Sequence, residues 1–160
     1  MERDKDNLEK LKKEFESARA KYGLPSFEEL DSEFEIRKID FDLNLVREIR
    51  RAIIHKFSGI ADILEPILNP SEANLHSAVE SKHFEKEGID DMFKYYKKLW
   101  YHVHDGIVAS LVSEKEEAEF IKKMWKIWPE VKKTALTYVK KITESWAKEE
   151  KEKRADHYMS

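Results

Sequence analysis

The sequence predicts an all-α fold. The expected architecture is a single-domain bundle of about six or seven helices, with two central helices at about 43–68 and 89–112 wrapped by the others. Three observations predict it. Glycine and proline, the main punctuation of loops, number only four each in 160 residues. Charged residues make up 39% of the chain, and Glu and Lys, both good helix formers, dominate them. Apolar residues recur at spacings of three and four, the period of an amphipathic helix. The length suits one domain, 1–160, and an apolar fraction of 41% supplies a core.

Leu8, Leu11, Phe15, Ala18 and Tyr22 form one narrow apolar stripe on a first helix whose other face is charged. Gly23 and Pro25 end it: glycine accepts the left-handed conformation past a helix, and proline cannot continue one. Ser26 with Glu29 is a capping box, opening a short helix with Phe27 and Leu30 on its apolar side. Phe34, Ile36, Ile39 and Phe41 follow without helical spacing and are expected in an extended connector.

Asp40 or Asp42 is expected to cap the first central helix, 43–68. Beyond residue 52 its apolar positions cover more than half the circumference, so it lies inside. Pro66 should kink or stop it. Asn69-Pro70 restarts the chain into a weakly apolar helix at about 71–84. The second central helix, 89–112, carries Met92, Tyr96, Leu99, Val103, Ile107 and Leu111, broadened by Tyr101, Val108 and Val112. Ser113 with Glu116 is another capping box. It opens a helix bearing Ala118, Ile121, Met124, Trp125 and Trp128, which Pro129 is expected to break or kink. A last helix then carries Val131, Ala135, Tyr138, Val139, Ile142 and Trp146. The charged tail 148–160 is expected to fray.

Composition excludes several chemistries. With no cysteine there is no disulfide, thiolate metal site or cysteine nucleophile, which suits a reducing, cytoplasmic location. The charged start, Met-Glu-Arg-Asp-Lys-Asp, is not followed by an apolar run of signal-peptide type. No apolar run approaches membrane-spanning length, so no membrane partner is expected. There is neither a glycine-rich phosphate loop nor a serine nucleophile elbow, and no cofactor is expected. Any enzyme chemistry would fall to histidine, carboxylate or arginine.

Three constellations bear on such chemistry. Glu80-Ser-Lys-His83, with His76 one turn earlier, matches the Glu-x-x-His element of carboxylate-bridged di-metal bundles. Such a site needs a second element and further inward carboxylates, so this pair reads as a solvated helix face and no metal is expected. Arg50 and His55 have the Arg-x4-His spacing of HEPN-type ribonucleases, which are small helical bundles. That resemblance implies a phosphodiester substrate, with His55 moving a proton and Arg50 stabilising charge. His102 and His104 lie in the polar cluster Tyr101-His-Val-His-Asp105. They point about 200° apart on a helix and do not share one metal ion. One is expected in the core and the other at the surface.

Charge is segregated along a chain of net −3. Residues 121–142 are net +6, through Lys122, Lys123, Lys126, Lys132, Lys133, Lys140 and Lys141 against Glu130. Residues 62–93 are net −6, and residues 36–61 are net +3 with Arg47, Arg50 and Arg51 close together. Lysines interleaved with Trp125, Trp128 and Tyr138 suit RNA phosphates and stacked bases. The same spacing also suits solvated lysines above core aromatics.

The stretch Tyr22-Gly-Leu-Pro-Ser-Phe-Glu-Glu-Leu-Asp-Ser-Glu-Phe-Glu-Ile36, with Trp128-Pro-Glu-Val-Lys132, resembles a family of small helical proteins of archaea. That resemblance implies an all-helical fold and carries no activity and no site residues. The leading expectation is a non-catalytic helical module that binds a protein partner. The alternatives are an RNA-binding protein using the 121–142 face with Arg47, Arg50 and Arg51, and a HEPN-like ribonuclease using Arg50 and His55.

Overall fold

The computed structural model describes residues 2–39, 44–70 and 75–158. Among them are six α-helices and no strand: α1 (Glu2–Tyr22), α2 (Phe27–Phe34), α3 (Leu45–Leu68), α4 (Leu75–Ser81), α5 (Lys86–Val112) and α6 (Glu114–Tyr158). The all-α class holds, and α3 and α5 fall where the two long central helices are predicted. The chain gathers into two compact units. One comprises Met1–Ser58 with Tyr101–Pro129, the other Gly59–Trp100 with Glu130–Ser160. Neither is a continuous segment, because α3, α5 and α6 each contribute to both. No glycine- or proline-rich linker marks the division, since it falls inside helices.

In the first unit, α1 ends as its sequence requires. Gly23 takes φ of 67°, and its N–H bonds the Arg19 carbonyl at 2.7 Å. The Ser26/Glu29 capping box opens α2. Phe27 meets Phe15 edge-on at 5.5 Å, joining α2 to α1. Glu35 closes α2 in the left-handed region, with φ of 54°. The connector expected to be extended instead holds a 3-10 turn, Ile36–Lys38, whose Ile36 is buried. Asp31 organises this turn: its carboxylate accepts the Arg37 backbone N–H at 2.9 Å and the Arg37 Nε at 2.6 Å. Phe41 lies outside the described residues.

Asp40 and Asp42, the predicted caps of α3, also lie outside the described residues. Asn44 takes the cap role, its Oδ1 accepting the Arg47 N–H at 2.9 Å. It does so because α3 begins at Leu45, leaving Asn44 as the flanking residue. Ser113 joins α5 to α6 as a single residue and caps α6, its hydroxyl accepting the Glu116 N–H at 3.2 Å.

In the second unit, Pro66 does not stop α3, which runs on to Leu68. The helix expected over 71–84 is described at Leu75–Ser81, and residues 71–74 after the Asn69-Pro70 restart lie outside the described set. Tyr95 donates its hydroxyl proton to the Val131 carbonyl at 2.8 Å, and burial raises its pKa. Trp146 Nε1 donates to Glu80 at 3.0 Å.

One expectation about α6 is corrected. Pro129 does not divide it: α6 is one helix of 45 residues. Ile121, Met124, Trp128, Val131, Ala135 and Ile142 are all buried, and their stripe keeps its phase through the proline. Pro129 itself is exposed, so its ring sits on the solvent side, and burial along the opposite face outweighs the missing N–H bond. The helix extends to Tyr158, and the Glu, Lys and Ala content of this stretch favours helix.

Candidate functional site

Arg50 is interior. Its Nε donates to Glu117 Oε2 at 2.8 Å, and its Nη1 donates to the Gly106 carbonyl at 3.3 Å. Arg47, half-exposed, reaches the other Glu117 oxygen at 3.4 Å. Glu117 is fully buried, so this acid takes charge-assisted bonds from two arginines one turn apart on α3. The group ties α3 to α5 and α6 in the first unit. Sequence reasoning missed Glu117. The available signal was its place beside Ala118 on the stripe of α6, facing the interior.

His55 is exposed. Five residues from Arg50, it points about 140° away from it on α3. The Arg-x4-His spacing therefore sets one side chain in the core and the other in solvent. His102 is buried, its ring edge-on to Phe57 at 6.0 Å, and His104 is exposed. The expected split of this pair is what the structure shows. In the second unit Glu80 accepts the Trp146 N–H, and His76 packs on the Trp146 ring at 5.2 Å. Among the described residues no three His, Asp or Glu side chains group as a metal site.

The lysines of 121–142 divide between the units. In the first, Lys122 pairs with Glu119 at 2.6 Å and Lys123 with Asp105 at 2.8 Å, while Lys126 is exposed. In the second, Lys132, Lys133, Lys140 and Lys141 are exposed, with Lys141 over the Phe84 ring. Arg51 is exposed and pairs with Glu48 one turn earlier. The interleaved aromatics turn inward. Trp128 is buried against Phe34 and Phe57 and donates its N–H to Glu33 at 2.8 Å. Trp125 and Tyr138 are partly covered.

The end of α5 departs most from expectation. Its last turns were predicted to be central, yet Leu111 is 81% exposed, Val112 66%, Tyr101 62%, Val108 57% and Ile107 44%. The buried side over the same turns carries Val103, Gly106 and Ala109 with His102. At Gly106 α3 and α6 approach closely, while the large apolar residues face out. A Cβ placed on Gly106 would lie 2.7 Å from Phe120 Cζ and 2.8 Å from Ile54 Cδ1. On a helical projection the exposed five span an arc of about 140°. Beside them, between α5 and α6, runs an open cleft of ≈ 360 Å³ bordered by Val108, Val112, Glu116, Glu119 and Lys123.

A second cleft lies where α1, α3 and α6 meet, beside Glu114. Glu114 accepts hydrogen bonds from the Tyr22 hydroxyl, from Asn44 Nδ2 at 2.7 Å and from Lys21 at 3.3 Å. The bonds from Tyr22 and Asn44 hold its carboxyl below the ordinary range. Its acceptors are committed to holding these helices together.

No described helix is long and apolar enough to cross a membrane. Comparison of the chain with protein-family models, with curated proteins and with solved structures finds no match.

Proposed function

We propose that the protein is a non-catalytic, cytoplasmic interaction module that docks a protein partner on the exposed face at the end of α5. One observation carries this reading: five large apolar side chains stand exposed together on one helix face. Contiguous exposed apolar patches on monomers are often functional. Two other readings draw less support. A ribonuclease centred on Arg50 would have to free a guanidinium held by Glu117. An RNA platform on α6 would need aromatics that face outward, and Trp128 faces in.

A photo-reactive phenylalanine analogue at Val108 tests the proposal in extract from the source cells. Discrete protein adducts are expected at this position, insensitive to ribonuclease and lost when Leu111→Glu is added. Adducts no more frequent than at exposed Lys133 would overturn it.

A further inference from the structure

Within the first unit α1 is seated far more lightly than its neighbours. Of residues 6–22 only Leu11 and Phe15 are buried, whereas α3 buries Leu45, Val46, Ile49, Arg50, Ile53 and Phe57 over a shorter stretch. α2 is seated independently of α1: Leu30 and Phe34 are buried, and Phe34 packs on the Trp128 ring at 5.0 Å. Between α1 and α2 lies Gly23, in the left-handed conformation and with no Cβ to resist a change of backbone angle.

At its Gly23 end α1 is fastened by one group. Glu114, in the first turn of α6, accepts from the Tyr22 hydroxyl and from Lys21. Asn44 Nδ2 donates to the other oxygen of the same carboxylate and fixes its position. Packing beside this group is open. The cleft of ≈ 340 Å³ there is lined by Ser17 and Lys21 of α1 and by Leu45 and Val46 of α3. The ion pair of Lys12 with Glu28 lies in solvent and holds little.

We infer that α1 is a lid on the first unit, opening as one piece about Gly23, with Glu114 as its latch. A helix that buries few apolar side chains opens at lower free energy than the core it rests on. A hydrogen bond to an ionised carboxylate is among the stronger single ties. The latch therefore sets how often the lid lifts. Opening draws Phe15 off the Phe27 ring and leaves that ring uncovered.

Native-state hydrogen exchange on the full chain tests the inference. Amides from Leu11 to Tyr22 should exchange through one shared opening, faster than those of Ile49, Ile53 and Ile121. Their protection should fall with added urea, because lifting a whole helix exposes surface. Tyr22→Phe should speed exchange in α1 about tenfold and leave α3 and α6 unchanged. Lys12→Gln should change it by less than about threefold. In a Glu114→Ala background the effect of Tyr22→Phe should vanish, since the acceptor is already gone.

Exchange of α1 only at the rate of α3 and α6 would overturn the lid. Protection of α1 that is indifferent to urea would reduce the opening to fraying and overturn it as well. An effect of Tyr22→Phe spread equally over all three helices, or undiminished without Glu114, would remove the latch.

Discussion

Replacing Gly106 by alanine should destabilise the protein although alanine is the better helix former. Gly106 sits in the middle of the exposed-face segment of α5, on its buried side. An added Cβ would meet Phe120 Cζ at 2.7 Å and Ile54 Cδ1 at 2.8 Å, against about 3.5–4.0 Å for a comfortable carbon contact. Close to an ångström of relief is needed. Ile54 is half-buried and can turn its terminal methyl away. Phe120 is a buried, rigid ring and cannot. Overpacking of this kind costs about 1–3 kcal/mol, while exchanging glycine for alanine inside a helix gains about 1 kcal/mol. Displacing α5 would also stretch the Arg50 bond to the Gly106 carbonyl, a further loss of about 1 kcal/mol. The expected balance is a net loss of about 1–3 kcal/mol. Gly59, inside α3, is the control: a Cβ there meets nothing within 4 Å. Gly59→Ala should therefore stabilise by about 1 kcal/mol. Thermal and urea unfolding followed at 222 nm separate the two, with shifts of opposite sign and about 2–4 °C per kcal/mol. A higher melting temperature for both variants would refute the close approach of α5. Gly106→Ala combined with Phe120→Leu should regain part of the loss, since the shorter side chain vacates the contact.

Removing one partner of the buried ion pair should cost far more than removing both. Glu117→Gln is expected to lose about 3–5 kcal/mol by leaving Arg50 uncompensated, whereas Arg50→Met with Glu117→Leu should fall within about 1–2 kcal/mol of wild type, as urea titrations will show. Pro129→Ala restores a backbone donor in the middle of α6 and should stabilise by about 1–3 kcal/mol in the same assay. Burial opposes ionisation of Asp31, but the Arg37 side-chain and backbone bonds outweigh it and hold its pKa below the ordinary carboxylate range. The charged form is thus favoured in the folded state. Its stabilisation is fully present above the unfolded value of about 3.9 and is lost as pH falls through the lower folded value. Asp31→Asn should lower the melting temperature at pH 7 and reduce the further fall between pH 4 and pH 2.

Local signals settled much of this chain before any packing was known. The Ser26/Glu29 and Ser113/Glu116 pairs, the Gly23 stop and the three-four spacing of apolar residues depend only on neighbours within a turn or two. They therefore located the main helices and several of their ends. Pro129 shows where such reasoning stops. Its local effect is to break a helix, but the stripe from Ile121 to Ile142 keeps its phase across it, and burial over that length outweighs one missing bond. Asp31 with Arg37, and Glu117 with Arg47 and Arg50, form pairs whose meaning depends on burial. Glu117 and the arginines are about 70 residues apart, and no local pattern announces them.

The candidate site divides in the same way. Periodicity showed that α5 is apolar around most of its circumference near its end, without saying which side is covered. Packing decided that, because Gly106 faces Phe120 of α6 and Ile54 of α3 too closely to admit a side chain. The larger Leu111, Val112 and Tyr101 were thereby left outside. Helix formation is a short-range consequence of residue type and spacing, and so it was legible in the chain. Which face is buried follows from shape complementarity between segments far apart in sequence, and that information exists only when they meet.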